Sequence, residues 1–160
     1  MKTKNIKYPY LPKDRVVLYV REDNPYMQEA KKIALTQSTD KKISTGVVIV
    51  DDNGDILVSA ANQSALKNKF LLNTHKNWCV RKLFKIPSGQ KYWLCPGCAS
   101  SRNHAESLAM KKAEKLKINV SGYDVYLWGH WWCCEPCWDK MIQAEIRNVY
   151  LIEDSHKIFR

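Results

Sequence analysis

The sequence lacks several features, and each absence removes a class of protein. No apolar run in its 160 residues approaches the roughly 20 needed to cross a bilayer, so no membrane partner is expected. The basic start Met1-Lys2-Thr3-Lys4 is not followed by an apolar stretch, which argues against a secretory signal. There is no internal repeat and no low-complexity tract. Between Asp55 and Glu106 there is no acidic residue at all.

What is present describes one globular domain, expected to span residues 1–160, with 45% apolar and 26% charged residues. Six cysteines without a secretion signal point to metal binding rather than disulfides, and to a reducing, cytoplasmic setting. The net charge of +10 is uneven: Lys67, Lys69, Lys76, Arg81, Lys82, Lys85, Lys91 and Arg102 all fall in the segment without acids. Such a run is a solvated loop in many proteins; next to a catalytic site it would steer an anionic substrate.

The most informative residues are His104-Ala105-Glu106 and, thirty residues after His104, Cys134-Glu135-Pro136-Cys137. One His and two Cys offer three donors to a Zn²⁺ and leave a fourth position open, the pattern of a catalytic zinc. Glu106 can stand beside the metal without binding it and move protons. H-x-E with a downstream C-x-x-C is the zinc deaminase signature. Ala105, Leu108, Ala109, Ala113 and Leu116 form a helical stripe, with Ser101 or Asn103 available as its cap. Pro136 suits the start of a second helix, whose buried face is predicted to run through Trp138, Met141 and Ile142. Two helix N-termini facing one metal would favour thiolates and any oxyanion formed in the reaction.

Elsewhere, residues 24 to 39 read as a helix. Thr45–Val50 and Asp55–Ala60 read as strands joined by a turn at Asp51-Asp52-Asn53-Gly54. Tyr123–Trp128 and Asn148–Ile152 are two further strands around the second helix, a βαβ pattern that implies a partly parallel sheet. The first twenty residues read as an extended arm or an added strand. The segment from Ala61 to Asn103 has few aliphatic residues to order it. It carries His75, Cys79, Cys95 and Cys98, a complete tetrahedral set for a structural zinc, with Pro96-Gly97 turning one sulfur pair toward a common point. Metal binding would supply ordering energy on the order of 10 kcal/mol. Cys133 or His130 could stand in for His75, and the cysteines could instead be small buried apolar residues.

Val47–Val50, Asn62, His104-Ala105-Glu106 and the Cys134/Cys137 pair together resemble the cytidine deaminase superfamily. Cys79-Val80-Arg81, Ile86-Pro87-Ser88-Gly89 and Cys95 ahead of His104 resemble deoxycytidylate deaminases in particular. The resemblance covers about residues 24 to 153. It implies an α/β, three-layer αβα domain around a five-stranded mixed sheet, with a zinc-binding insert at about 62–103 and a homo-oligomeric assembly. It implies a substrate contact at Asn62 and Ala105, a structural zinc in the insert, and a pocket-lining loop in which Trp131 or Trp132 stacks on a base. The chain departs from the family at Cys133, where a Pro is usual, at Leu108, where deoxycytidylate deaminases have Asn, and at Asn62-Gln63-Ser64. Cys133 is expected to point away from the metal, and Ser88-Gly89 to be a turn or a substrate contact. The reaction implied is zinc-dependent deamination of a free dCMP- or CMP-like nucleotide, with Arg81 and Arg102 on its phosphate. A base within RNA or single-stranded DNA, or a zinc-stabilised module without catalysis, are the competing readings.

Overall fold

The computed structural model describes residues 6–87 and 89–160; the first five residues of the N-terminal arm and Ser88 lie outside the described residues. Asn24 opens helix α1 (Pro25–Gln37) by accepting hydrogen bonds from the backbone N–H groups of Tyr26 and Met27, with Pro25 at the helix start, where its missing N–H costs nothing. Strands β2 (Gly46–Val50) and β3 (Ile56–Ala61) pair antiparallel. Their turn is closed by the Asp51 carboxylate, which accepts from Asn53 N and Asp55 N, while Gly54 takes a positive φ.

The expected five-stranded mixed sheet is present. Its order is β1-β5-β4-β2-β3, where β1 (Val17–Val20), β5 (Asn148–Ile152) and β4 (Asp124–Trp128) run parallel. Strand β4 is antiparallel to β2. The arm is therefore both of the things expected of it: Val17–Val20 add an edge strand, and Tyr8, Tyr10 and Leu11 pack on the core ahead of it.

The alternation along β2 builds three layers. Val48 and Val50 face Met27 and Ala30 of α1, whereas Val47 and Ile49 face the opposite cluster with Ala105, Ala109, Trp138 and Met141. That second layer consists of α4 (Ala105–Leu116) and α5 (Glu135–Gln143). Three expectations need correction. Neither Ser101 nor Asn103 caps α4: both lie in a 3₁₀ turn, and His104 itself occupies the cap position because its ring is drawn toward Cys134 and Cys137. The buried stripe of α4 ends at Ala113, with Leu116 exposed past the sheet. On α5 Ile142 is also exposed, since Trp138 and Met141 already fill the contact with the sheet.

Between β3 and α4 the insert folds as α2 (Lys69–Asn77), α3 (Val80–Leu83) and two 3₁₀ turns, Tyr92–Leu94 and Ser101–Asn103. Its buried cluster is Cys79, Cys95 and Cys98, with Tyr92 against it and no aliphatic side chain. None of the helices is long and apolar enough to cross a membrane, among the described residues.

Helix α1 approaches β2 at Gly46, where a Cβ would collide with the Ala30 carbonyl and sit 2.6 Å from Ala34 N. Gly46→Ala is expected to cost about 1–3 kcal/mol through overpacking, which lowers Tm by several degrees. Thermal unfolding of the two proteins checks this.

Candidate metal centres and catalytic cleft

Two chain crossings deliver one triangle of donors. The strand β3 and insert lead into α4, placing His104 at its N-terminus, and β4 leads into α5, placing Cys134 and Cys137 at the other. His104 Nδ1 lies 3.5 Å from both Cys134 Sγ and Cys137 Sγ, and the two sulfurs are 3.3 Å apart. Both cysteines are free, since a disulfide needs about 2.05 Å. A triangle of these sides has its centre about 2 Å from each corner, close to the roughly 2.0–2.3 Å of zinc–nitrogen and zinc–sulfur bonds. The donor set fits zinc. The Cys134 thiol is pulled down to about 4, chiefly by its hydrogen bond with Cys137, while Cys137 is pushed up.

Glu106 is 4% exposed, and its burial raises the carboxyl above the usual range despite the opposing pull of His104. Cys133 lies outside the donor group; its thiol is buried, and burial with Glu106 and Cys134 close by pushes it well above the usual thiol range. Nothing in the sequence distinguished it from a core cysteine.

The second cluster brings together His75, Cys79, Cys95 and Cys98, all buried, with their donor atoms within 4.8 Å of one another. Cys98 Sγ is 3.5 Å from Cys79 Sγ and 3.5 Å from His75 Nε2. His75 therefore stands in the set, rather than Cys133 or His130. His130 instead faces the backbone of Trp132. Gly97 is required in the Pro96-Gly97 turn because a Cβ there would strike the His75 ring. Four soft donors with no open position suit a closed, structural zinc.

Asp40, which the sequence did not single out, supports this cluster. Its Oδ1 accepts from Lys42 N and Ile43 N, its Oδ2 accepts from Ala99 N, and Oδ1 lies 3.8 Å from the otherwise unpartnered Nδ1 of His75. Ala99 and His104 line one cavity, so this buried carboxylate braces backbone that lies between the two clusters.

Both clusters border a cavity of about 610 Å³ lined by Asn62, Ala105, Glu106, His104, Cys134 and Trp132, among others. Asn62 is placed there, but its polar atoms hold the loop over it: Oδ1 accepts from Ser38 Oγ and Thr45 N, and Nδ2 donates to Ile43 O. Trp132 is a buried wall backed by Gly89, and Trp131 stacks on Tyr8. Arg81 lines the cavity with its guanidinium turned to the Gln90 and Pro87 carbonyls, 4.2 Å over the Tyr92 ring. Arg102 is outside the cavity, beside Lys111 and Lys140. Lys42, Lys82, Lys85 and Arg160 line it instead.

A family described as the cytidine and deoxycytidylate deaminase zinc-binding region matches residues 20–153. The chain belongs to this family. Membership makes hydrolytic deamination its reaction class, and the matched region is the one in which relatives bind zinc. Among solved structures, the chain is similar to dCMP deaminase from the cyanophage S-TIM5. The apo form is 20% identical over 84% of this chain and 86% of that one, with a TM-score of 0.47; the complex with dCMP and dUMP has the same identity and coverage and a TM-score of 0.49. A diaminohydroxyphosphoribosylaminopyrimidine deaminase/5-amino-6-(5-phosphoribosylamino)uracil reductase from Thermotoga maritima is 17% identical over 81% of this chain and 29% of that one, with a TM-score of 0.45. No curated protein matches significantly. The family assignment rests on the sequence match alone.

Asp40→Ala is expected to weaken metal retention at the second cluster by about 10–100-fold, the usual effect of removing a carboxylate behind a ligating His. Zinc release to a chromogenic chelator measures it; an unchanged release curve would reduce Asp40 to a loop brace.

Proposed function

We propose that the protein is a zinc-dependent hydrolase that converts the cytosine ring of a free dCMP- or CMP-like nucleotide to uracil and releases ammonia. The observation that carries this reading is Glu106, a carboxylate buried in the cleft beside a donor triangle with no fourth protein donor among the described residues. His104, Cys134 and Cys137 would hold the zinc, which supplies the Lewis acidity that makes water nucleophilic at neutral pH.

The remaining steps fall to the chain itself. Glu106 takes one proton of the attacking water and passes it to the ring nitrogen, then moves the second proton of that oxygen to the amino group, which leaves as ammonia as the ring carbonyl forms. A carboxyl raised by burial suits this exchange, because it takes up a proton more readily than an exposed carboxylate does. The first backbone N–H groups of α4 and α5 support the oxygen on which charge develops. Asn62 keeps the loop of Ile43 to Thr45 in place and, with Ala105, borders the base, while Trp132 offers it a flat wall.

For the phosphate, the cations on the cavity wall are better candidates than the pair chosen from sequence. Arg102 is outside it and Arg81 is turned to backbone carbonyls, whereas Lys42, Lys82, Lys85 and Arg160 line it. Lys85→Gln is expected to raise KM for the nucleotide several-fold with little change in kcat, and to leave cytidine turnover unaltered. Equal effects on both substrates would remove the phosphate assignment.

Ammonia release across cytidine, dCMP, CMP, dCTP and guanine tests the reading as a whole, with dCMP or CMP expected to lead. Glu106→Ala should keep its metal yet lose turnover by several orders of magnitude; near-normal rates would overturn the proton-shuttle role. The second cluster makes the expected content two zinc ions per chain. Cys95→Ser is expected to lose one of them and to destabilise the insert, as elemental analysis and limited proteolysis would report.

A further inference from the structure

Apart from Lys82 and Lys85 at the cavity rim, the outer surface of the insert has no part in this chemistry, yet it carries an unusual set of exposed side chains. All four strongly exposed large aromatic side chains lie on it: Phe70 is 76%, Trp78 69%, Phe84 68% and Trp93 79% exposed. Leu71, Val80 and Leu83 are exposed in the same 24-residue stretch. Lys69, Lys76, Lys82, Lys85 and Lys91 are interleaved with these rings, and the nearest acidic residues in sequence are Asp55 and Glu106. Lys82 and Lys85 also line the catalytic cavity, so the patch runs into its rim.

Large apolar side chains exposed this densely within one segment point to an interaction site. Its chemistry restricts the partner. Two copies meeting patch to patch would set lysine against lysine with no carboxylate between them. A membrane anchor gathers its apolar residues on one face of an amphipathic helix; here the rings lie on α2, just past the ends of α2 and α3, and on a 3₁₀ turn, with only nine and four residues in the two helices. Flat rings interleaved with cations match a chain that is anionic along its backbone and presents stackable faces along its length, which is a single-stranded nucleic acid.

We propose that the outer face of the insert, from Phe70 to Trp93, is a docking surface for single-stranded nucleic acid. Phe84 and Trp93 supply stacking platforms, and Lys82, Lys85 and Lys91 neutralise backbone phosphates. The proposal concerns binding, and it stands or falls separately from turnover of free nucleotides.

The test is fluorescence anisotropy of a labelled 15-nucleotide single strand with the zinc-loaded full chain. Binding is expected to weaken steeply with salt and to exceed that of the same sequence as a duplex. Phe84→Ala and Trp93→Ala are each expected to weaken it about tenfold, as loss of one stacked base does. Neither residue lines the cavity, so ammonia release from free nucleotides and the zinc content should stay at the parent level. The proposal is overturned by absent binding, by equal affinity for duplex, or by competition from polyglutamate at equal charge. It is also overturned if the aromatic variants bind like the parent, or if they change only self-association or binding to anionic vesicles.

Discussion

Three soft donors held 3.3–3.5 Å apart are the constraint on which the rest of this structure depends. An imidazole and two thiols gain little from each other at that range, and their lone pairs face one point. They come together because the parallel pairing of β4 with β5 and the packing of α4 against α5 bring two helix starts to the same edge of the sheet. A cation at that point would turn a costly arrangement into a strong one, and with no fourth protein donor among the described residues it would keep a position open. Glu106 is in reach because it lies two residues past His104, at the start of the same helix.

The second cluster acts at longer range. The insert has no aliphatic core of its own; its centre is three sulfurs, His75 and Tyr92. Yet it forms one wall of the cleft and carries the cations at the rim. Asp40 joins the two regions, holding the Lys42–Ile43 backbone on one side and Ala99 on the other, and Ala99 lines the cavity together with His104. Loss of a metal held by the second cluster would therefore disturb the surroundings of the donor triangle without touching its donors.

Much of this was legible in the sequence because the chemistry is local. His104-Ala105-Glu106 and Cys134-Glu135-Pro136-Cys137 each fit within one helix start, the Asp51–Gly54 turn closes itself, and alternating apolar strands separated by helices give the sheet. What was not legible depends on long-range approach. Asp40 is one of many acidic residues until folding sets it against His75 and Ala99. Arg102 adjoins His104 in sequence, but the 3₁₀ turn at Ser101–Asn103 carries its side chain out of the cavity. Leu116 and Ile142 continue apolar stripes whose contact with the sheet has already ended. Cys133 reads as a neighbour of a ligand, and only folding shows its thiol buried, with Glu106 and Cys134 among the groups that raise it.

The central claim is that this cleft adds water across a cytosine ring and expels its amino group. Turnover of dCMP by the zinc-loaded protein in ¹⁸O-enriched water, followed by mass spectrometry, tests it most directly. The account predicts a uracil nucleotide carrying one solvent oxygen, with one ammonia released for each product molecule. Unchanged dCMP at high enzyme concentration, or a product formed without solvent oxygen, would contradict it.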